Sequence, residues 1–410
     1  MNTGDSELIP NLFRTEYSKL VAVLCKVFGI QHIQVAEDIV SDTFLLAAET
    51  WGKKGIPDNQ VAWLYTVAKN RARDYLRKEK IRKEKVEPFL QQKEDRVEIS
   101  LDFAVENIQD SQLRMLFALC HPSLKQADQV ILSLRILCGF GIEEIGSALL
   151  STKDKINKRL FRAKKSLRSG SISLDFPSTE EIPNRLDSVL LTLYLLFNEG
   201  YYSKSNDPNM CKDFCLEAMR LALLLNAVPL THSPKVAALI SLMCFHTSRF
   251  GARYSEEGEF ILFQDQNREM WDQDLIKKGE YFLNLASTGE QVSTYHLEAA
   301  IAFWHTQPED KEKWENILQL YNYLLQVSYS PLVALNRTFA LAKANGIEEG
   351  LKEALKLNQD ENPLYHCLLA EFYQGSQDGK ASEHLQKALK LSHSERERNL
   401  MKRRLDSLEE

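Results

Sequence analysis

Residues 141–168 read GIEEIGSALLSTKDKINKRLFRAKKSLR. Ile142 to Leu149 make one short apolar helix and Leu150-Ser151-Thr152 a turn. From Lys153 a second helix begins, whose apolar positions Ile156, Leu160, Ala163 and Leu167 recur at helical spacing and share one stripe. Gly146 lets two helices approach closely, Leu149 and Leu150 fill the angle between them, and Thr152 is placed to cap the second helix. That is the grammar of a helix-turn-helix. Off the stripe stand Lys153, Lys155, Asn157, Lys158, Arg159 and Arg162, candidates for a DNA groove and its phosphates. From Lys153 to Arg168 eight bases face a single acid, Asp154, a density that attracts a polyanion by counterion release. An ordinary solvated helical hairpin shares the apolar spacing; the charge after the turn is what favours DNA.

Outward from this stretch the charge is uneven. Residues 1–170 hold 27 bases and 22 acids, whereas residues 171–410 hold 24 and 35, so a basic first half is joined to an acidic second half with a net charge of -6 overall. A second basic cluster runs from Lys69 to Lys85, with nine bases against three acids. Two clusters suggest two contacts on one long phosphate backbone. Ahead of it, apolar residues at helical spacing mark helices around Leu20–Val27, Val35–Leu46 and Val61–Leu76, separated by Gly29 and by the turn-rich loop 53–59.

The expected fold is all-α. The chain is 44% hydrophobic with 17 Gly and 12 Pro over 410 residues, too few turn residues for a sandwich or propeller. The expected domains are a three-helix unit at 1–85, a polar linker at 86–109, the helix-turn-helix unit at 110–169, a Ser-rich linker at 170–185 and a helical region at 186–410. Near the end a 34-residue period appears, in which Leu335 matches Leu369, Phe339 matches Tyr373, Leu351 matches Leu385, and Ala354 to Leu357 match Ala388 to Leu391. This is the period of a tetratricopeptide helix pair, whose apolar faces need stacked neighbours. Seven Cys without a CxxC argue against a disulfide framework. Cys211 and Cys215 share one helix face, but buried free Cys is common on helices and Cys244 and His246 lack paired ligand spacing, so neither a metal nor another cofactor is expected. The first residues carry acids and no apolar run, and no apolar stretch is long enough to cross a bilayer. A soluble, cytoplasmic, membrane-free protein is the expectation.

These residues carry a resemblance. Ala36 to Phe44 (AEDIVSDTF) and Ala62 to Arg77 (AWLYTVAKNRARDYLR) resemble the polymerase-binding helix and the promoter-reading helix of region 2 in sigma factors of the extracytoplasmic-function type. Glu143-Glu144-Ile145 with Arg159 to Lys164 (RLFRAK) resembles region 4. Ser41 stands where the family usually has Gln, and Lys155 where Thr is common. Leu113 to Pro122, Tyr194 to Tyr201, Phe263 to Arg268 and Ser330 to Arg337 are similar to motifs of the subgroup with a long tetratricopeptide-like C-terminal extension. The resemblance implies an alternative sigma factor of the sigma-70 family, with core RNA polymerase and promoter DNA as partners, bacterial and without catalytic residues. It also implies that the extension takes the place of a membrane-bound anti-sigma factor in control.

On this reading Glu37, Asp38, Asp42 and Phe44 lie on one helical surface that docks on core polymerase. Trp63, Asn70, Arg71 and Arg77, with the loop 54–60, hold the melted minus-ten strand, although Trp63 suits a core position as well. The helix from Lys153 enters the major groove at minus thirty-five. A pocket in the extension lined by Asn198, Glu199, Tyr201, Gln266, Arg268, Asn336 and Arg337 would take a peptide, a small molecule or a protein regulator. The rival reading is a one-component helix-turn-helix regulator with a ligand-binding repeat domain. Such a regulator has no use for Glu37 to Phe44 or for a separate reader of melted DNA.

Overall fold

The computed structural model describes residues 3–86, 101–149, 151–169, 172–202, 208–255, 261–392 and 395–409. Leu150, most of the first linker and the start of the second lie outside the described residues, as do the side chains that end the basic cluster from Lys69 to Lys85. Helices account for the architecture, and no strand occurs among the described residues. No described helix is long and apolar enough to cross a membrane.

The chain forms two compact units, with α1–α8 in the first and α9–α18 in the second. In the first unit, α1 (Thr3–Phe28), α2 (Ile33–Lys54) and α3 (Gln60–Val86) are followed by α4 (Val105–Leu119) and α5 (Gln126–Leu132). A π turn at Ser133–Leu137 prolongs α5; then come the short α6 (Ile142–Ala148), α7 (Lys153–Ser169) and α8 (Ile182–Tyr201). Helix α1 is the hub. Its apolar run Leu20 to Cys25 is fully buried, and it packs on α2 and α4 and against the π turn. Lys26 reaches Asp110 of α4 at 2.8 Å, and Arg14 reaches Glu144 of α6 at 2.6 Å. Gly139 takes φ +72, a left-handed backbone conformation that glycine adopts without strain.

Both expected linkers are shorter than the composition suggests. Leu101 is buried and α4 starts at Val105, so helix begins inside the stretch read as linker to residue 109. In the second linker Ile172 is buried and the Phe176 ring sits 5.2 Å from that of Phe117. The helical region expected to start at 186 also divides differently. Helix α8 packs on α4 and α5, Arg185 donates to the Phe117 carbonyl at 2.7 Å, and Thr192 donates to Gln129 Oε1 at 2.7 Å.

The second unit comprises α9 (Pro208–Ala227), α10 (Pro234–Thr247), α11 (Gln273–Ala286), α12 (Thr294–Thr306), α13 (Lys311–Val327), α14 (Pro331–Asn345), α15 (Ile347–Leu357), α16 (Pro363–Tyr373), α17 (Asp378–Leu391) and α18 (Glu395–Glu409). Helix α10 is buried nearly all round, from Val236 to Phe245, and takes α11 and α12 against it. From α12 on, neighbours in sequence are neighbours in space. The 34-residue pairs occupy equivalent places in α14–α15 and α16–α17: Leu335 and Leu369 are both buried, and Ala354 and Ala388 are both fully so. Gly350 lets α15 lie against α14, because a Cβ there would come within 2.4 Å of Ala342 Cβ and 2.9 Å of its Cα. Gly350→Ala is therefore expected to destabilise the second unit by about 1–3 kcal/mol in spite of alanine's better helix propensity, seen as a lower midpoint in urea unfolding.

Candidate nucleic-acid interface

Helix α7 is built as its sequence dictates. Ile156, Leu160, Ala163 and Leu167 are all buried, and the Thr152 side chain accepts from the Lys155 amide at 3.4 Å. Gly146 does what its missing side chain permits: a Cβ there would stand 3.0 Å from the Ser151 carbonyl, whose own amide donates to the Gly146 carbonyl at 2.8 Å. Opposite the buried stripe Lys155, Asn157, Lys158 and Arg162 are exposed. Two of the expected DNA ligands on α7 form ion pairs within the unit. Lys153 pairs with Glu143 at 2.7 Å, each strengthening the other's charge so that the ammonium pKa rises and the carboxyl pKa falls. Arg159 pairs with Asp128 of α5 at 2.8 Å. Phe161 is 65% exposed and lies among Asn157, Lys158 and Arg162. The sequence reading passed over it. Its signal was an aromatic residue one place off the buried stripe, in the middle of a basic helix.

Helix α3 buries Leu64, Ala68 and Ala72, and leaves Asn70, Arg77 and its neighbouring bases exposed. Asn59 caps it by accepting from the Ala62 amide at 2.9 Å. Trp63 is half-buried, edge-on to Trp51 at 5.4 Å, which fits the packing role better than a free stacking platform. Arg71 is held by Asp42 of α2 at 3.0 Å, and Arg77 stays exposed near Asp74.

Helix α2 corrects the expectation for the polymerase-docking residues: the four do not share one surface. Glu37 and Phe44, seven residues apart and so on the same side of the helix, are both buried. Phe44 packs edge-on against Phe13 of α1 at 5.0 Å. Asp38 and Asp42, one turn apart, face outward with Ser41 and with Leu45, which is 58% exposed. The Glu37 carboxylate accepts from the Tyr17 hydroxyl at 3.1 Å, pairs with Lys164 of α7, and lies 3.7 Å from the Arg135 guanidinium. Burial, then the Glu37 charge, push the Tyr17 phenol well above its ordinary pKa. Arg135 lies over the Tyr17 ring at 5.2 Å, completing a four-residue knot. A cleft of about 480 Å³ opens beside the knot, lined on α2 by Gln34, Asp38 and Ser41 and on α7 by Asn157, Phe161 and Arg168.

The residues expected to line one pocket in the extension belong to both units. Asn198, Glu199 and Tyr201 lie on α8 in the first unit, where burial raises the Glu199 carboxyl pKa and Tyr201 stacks on Phe197 at 5.7 Å. Gln266 and Arg268 belong to the second unit: Gln266 donates to the Ile261 carbonyl at 3.2 Å, while Arg268 reaches the Gln307 carbonyl and Glu309, both at 3.2 Å. Asn336 is exposed on α14, and Arg337 donates to Asn322 at 3.0 Å and faces Glu353. Within the second unit these two pairs therefore have different neighbours.

Comparison with known proteins supplies the context for α1–α3. Residues 12–81 match the sigma-70 region 2 family, and residues 185–287 match a family of unknown function, DUF6596, which runs from α8 to just beyond α11. An uncharacterized protein of Rhizobium meliloti is 31% identical over 328 residues, covering 78% of this chain and 77% of its own. No solved structure matches the chain. Similarity along most of both chains makes this protein and its Rhizobium relative members of one family, and within this chain the helices of residues 12–81 are similar to sigma-70 region 2.

Proposed function

We propose that this chain is an alternative sigma factor of the extracytoplasmic-function type, whose region 2 is followed by a region 4 on α4–α7 and by a tetratricopeptide-like extension that controls its activity. The outward face of α2 docks on core RNA polymerase. The exposed bases of α3 hold the melted minus-ten strand, and α7 enters the major groove at minus thirty-five as the second helix of a helix-turn-helix. The observation that carries the reading is the pairing of region 2 with α7, a helix buried on one stripe and bearing Lys155, Asn157, Lys158, Phe161 and Arg162 on its open side. Phe161 suits apolar contact with a thymine methyl, and the cations suit guanine edges and phosphates. A one-component regulator would need only α7 and would leave region 2 without a task.

Run-off transcription on a promoter library tests the proposal. With purified core polymerase, start sites that depend on this chain and share two spaced upstream elements support it; starts that ignore the chain refute it. Duplex affinity carries a separate expectation. Lys158→Ala with Arg162→Ala should weaken binding on every sequence and lower the slope of log affinity against log salt by about 2, one for each lost phosphate contact. Titrations from low to high salt measure it.

A further inference from the structure

We propose that the second unit holds a binding site for a small oxyanion, a phosphate or a carboxylate, formed by Arg249, Arg268, Trp271 and His305. The site stands on the free chain alone, and only its use as the input through which the extension controls activity rests on the function proposed above. Its parts come from successive elements: Arg249 follows α10, Phe263 to Trp271 lead into α11, His305 lies in the last turn of α12, and Lys313 lies in the first turn of α13. Two aromatic rings gather them. The Arg249 guanidinium lies 4.9 Å from the centre of the Phe263 ring and 6.0 Å from that of Trp271, and the Arg268 guanidinium lies 5.5 Å from the Trp271 ring. The Phe263 ring is 5.8 Å from that of Trp271 and meets the His305 ring edge-on at 5.0 Å.

Two observations give the site its ligand. The first is a positive field. Arg253 is 6% exposed and the Lys313 side chain is wholly buried, and the two imidazoles nearby register the cations around them. Burial, then Arg249 and Arg253, hold His246 well below its ordinary pKa; burial, then Arg249 and Lys313, hold His305 down at about 3. Both rings are therefore neutral at pH 7, and Arg249 donates to His246 Nδ1 at 3.2 Å. Glu309, about half exposed, binds Lys313 at 2.5 Å, Arg268 at 3.2 Å and the Trp314 indole at 3.0 Å, so a carboxylate is at home in this neighbourhood. The second observation is a pair of buried polar atoms that meet no partner among the described residues: Nε1 of Trp271, a residue 4% exposed, and Nδ1 of His305. An indole N–H can only donate, and its burial without an acceptor is unfavourable. Among cations the acceptor that gains most is an anionic oxygen. Such a ligand joins the segment after α10 to α11 and α12, and stiffens that junction when it binds.

Isothermal titration calorimetry on the full chain tests the site, in an oxyanion-free buffer at constant ionic strength, with inorganic phosphate and succinate as the probes. Saturable binding of at least one probe is expected, and which of the two binds distinguishes a phosphoryl from a carboxylate ligand. Trp271→Phe keeps the ring and loses only the N–H. It should weaken that binding about tenfold, while the ligand-free chain stays at least as stable in urea, because the lost donor had no acceptor to lose. A merely structural Trp271 gives the opposite pattern, a less stable chain with unchanged affinity. Arg268→Gln should also weaken binding at least tenfold, whereas Lys390→Gln, which removes an exposed charge from α17, should leave it unchanged. No saturable heat with either probe overturns the site, as does wild-type affinity in folded Trp271→Phe or an equal loss in Lys390→Gln. None of these titrations needs polymerase. Binding that passes them without altering run-off transcription would leave the site standing and refute its part in control.

Discussion

Reversing the outward charges of α2 with Asp38→Lys and Asp42→Lys is expected to weaken binding to core polymerase at least a hundredfold and to silence promoter-dependent run-off, while the protein melts almost as before. Both carboxylates are exposed, one helical turn apart, with Leu45 beside them. In the free chain their contacts are slight. Asp38 accepts from Gln34 at 3.1 Å, and Asp42 pairs with Arg71 at 3.0 Å on the surface, where such a pair contributes at most about 1 kcal/mol. At a protein interface the same charges count for more, since close pairs show couplings of about 1.5–7 kcal/mol and reversal adds repulsion to the loss. Titration of labelled polymerase with the variant, beside a thermal melt, separates the two effects. Glu37→Ala makes the contrast: its expected cost is in folding of the first unit, about 3–5 kcal/mol, because it strands Lys164 and Arg135. A double reversal that binds polymerase normally would move the docking surface away from α2.

Why the sequence revealed α7 and misjudged α2 has a physical explanation. On α7 the apolar and charged residues largely segregate, so periodicity alone assigns Ile156, Leu160, Ala163 and Leu167 inward and Lys155, Lys158 and Arg162 outward, as observed, while Lys164 turns toward Glu37. On α2 the resemblance singled out four residues and set them on one surface. Helical geometry sets Glu37 with Phe44 and Asp38 with Asp42 on different sides. What turns Glu37 inward is the company of Tyr17, Arg135 and Lys164, which lie far from it in the chain and leave no local mark in the sequence. Phe161 was passed over for the opposite reason: an apolar residue is read as core by default, and here it lies one step off the stripe, in the open. The 34-residue repeat was legible because α14–α15 and α16–α17 reuse the same small and apolar residues at each contact. Helix α8 was assigned to the wrong neighbours because its stripe of Leu186, Val189, Leu190 and Leu193 looks the same whichever helices it meets.

That misassignment matters for any truncation, and its consequence is large. A chain ending after Tyr202, which keeps α8, is expected to fold and unfold cooperatively; a chain ending after Arg185 is expected to be less stable by several kcal/mol. Gln129 decides the difference. It is buried, its amide nitrogen donates to the His121 and Leu124 carbonyls, and its oxygen accepts from Thr192 at 2.7 Å and from Ser188 at 3.4 Å. Ser188 also donates to the Cys120 carbonyl at 2.8 Å. Cutting at residue 185 removes both hydroxyls and leaves the Gln129 oxygen and the Cys120 carbonyl without these donors, at about 1–3 kcal/mol for each acceptor left buried. It also uncovers the apolar sides of α4 and α5 against which α8 packs. Urea unfolding followed by circular dichroism should show a clear loss of midpoint for the shorter chain and none of comparable size for the longer one. Equal midpoints would assign α8 to the second unit. The difference governs how a loss of transcription is to be read. After a cut at 185 it would report a damaged α4–α5 layer, whereas after a cut at 202 it would report the contribution of the helices from α9 onward, so only the longer chain tests whether the extension restrains or supports the factor.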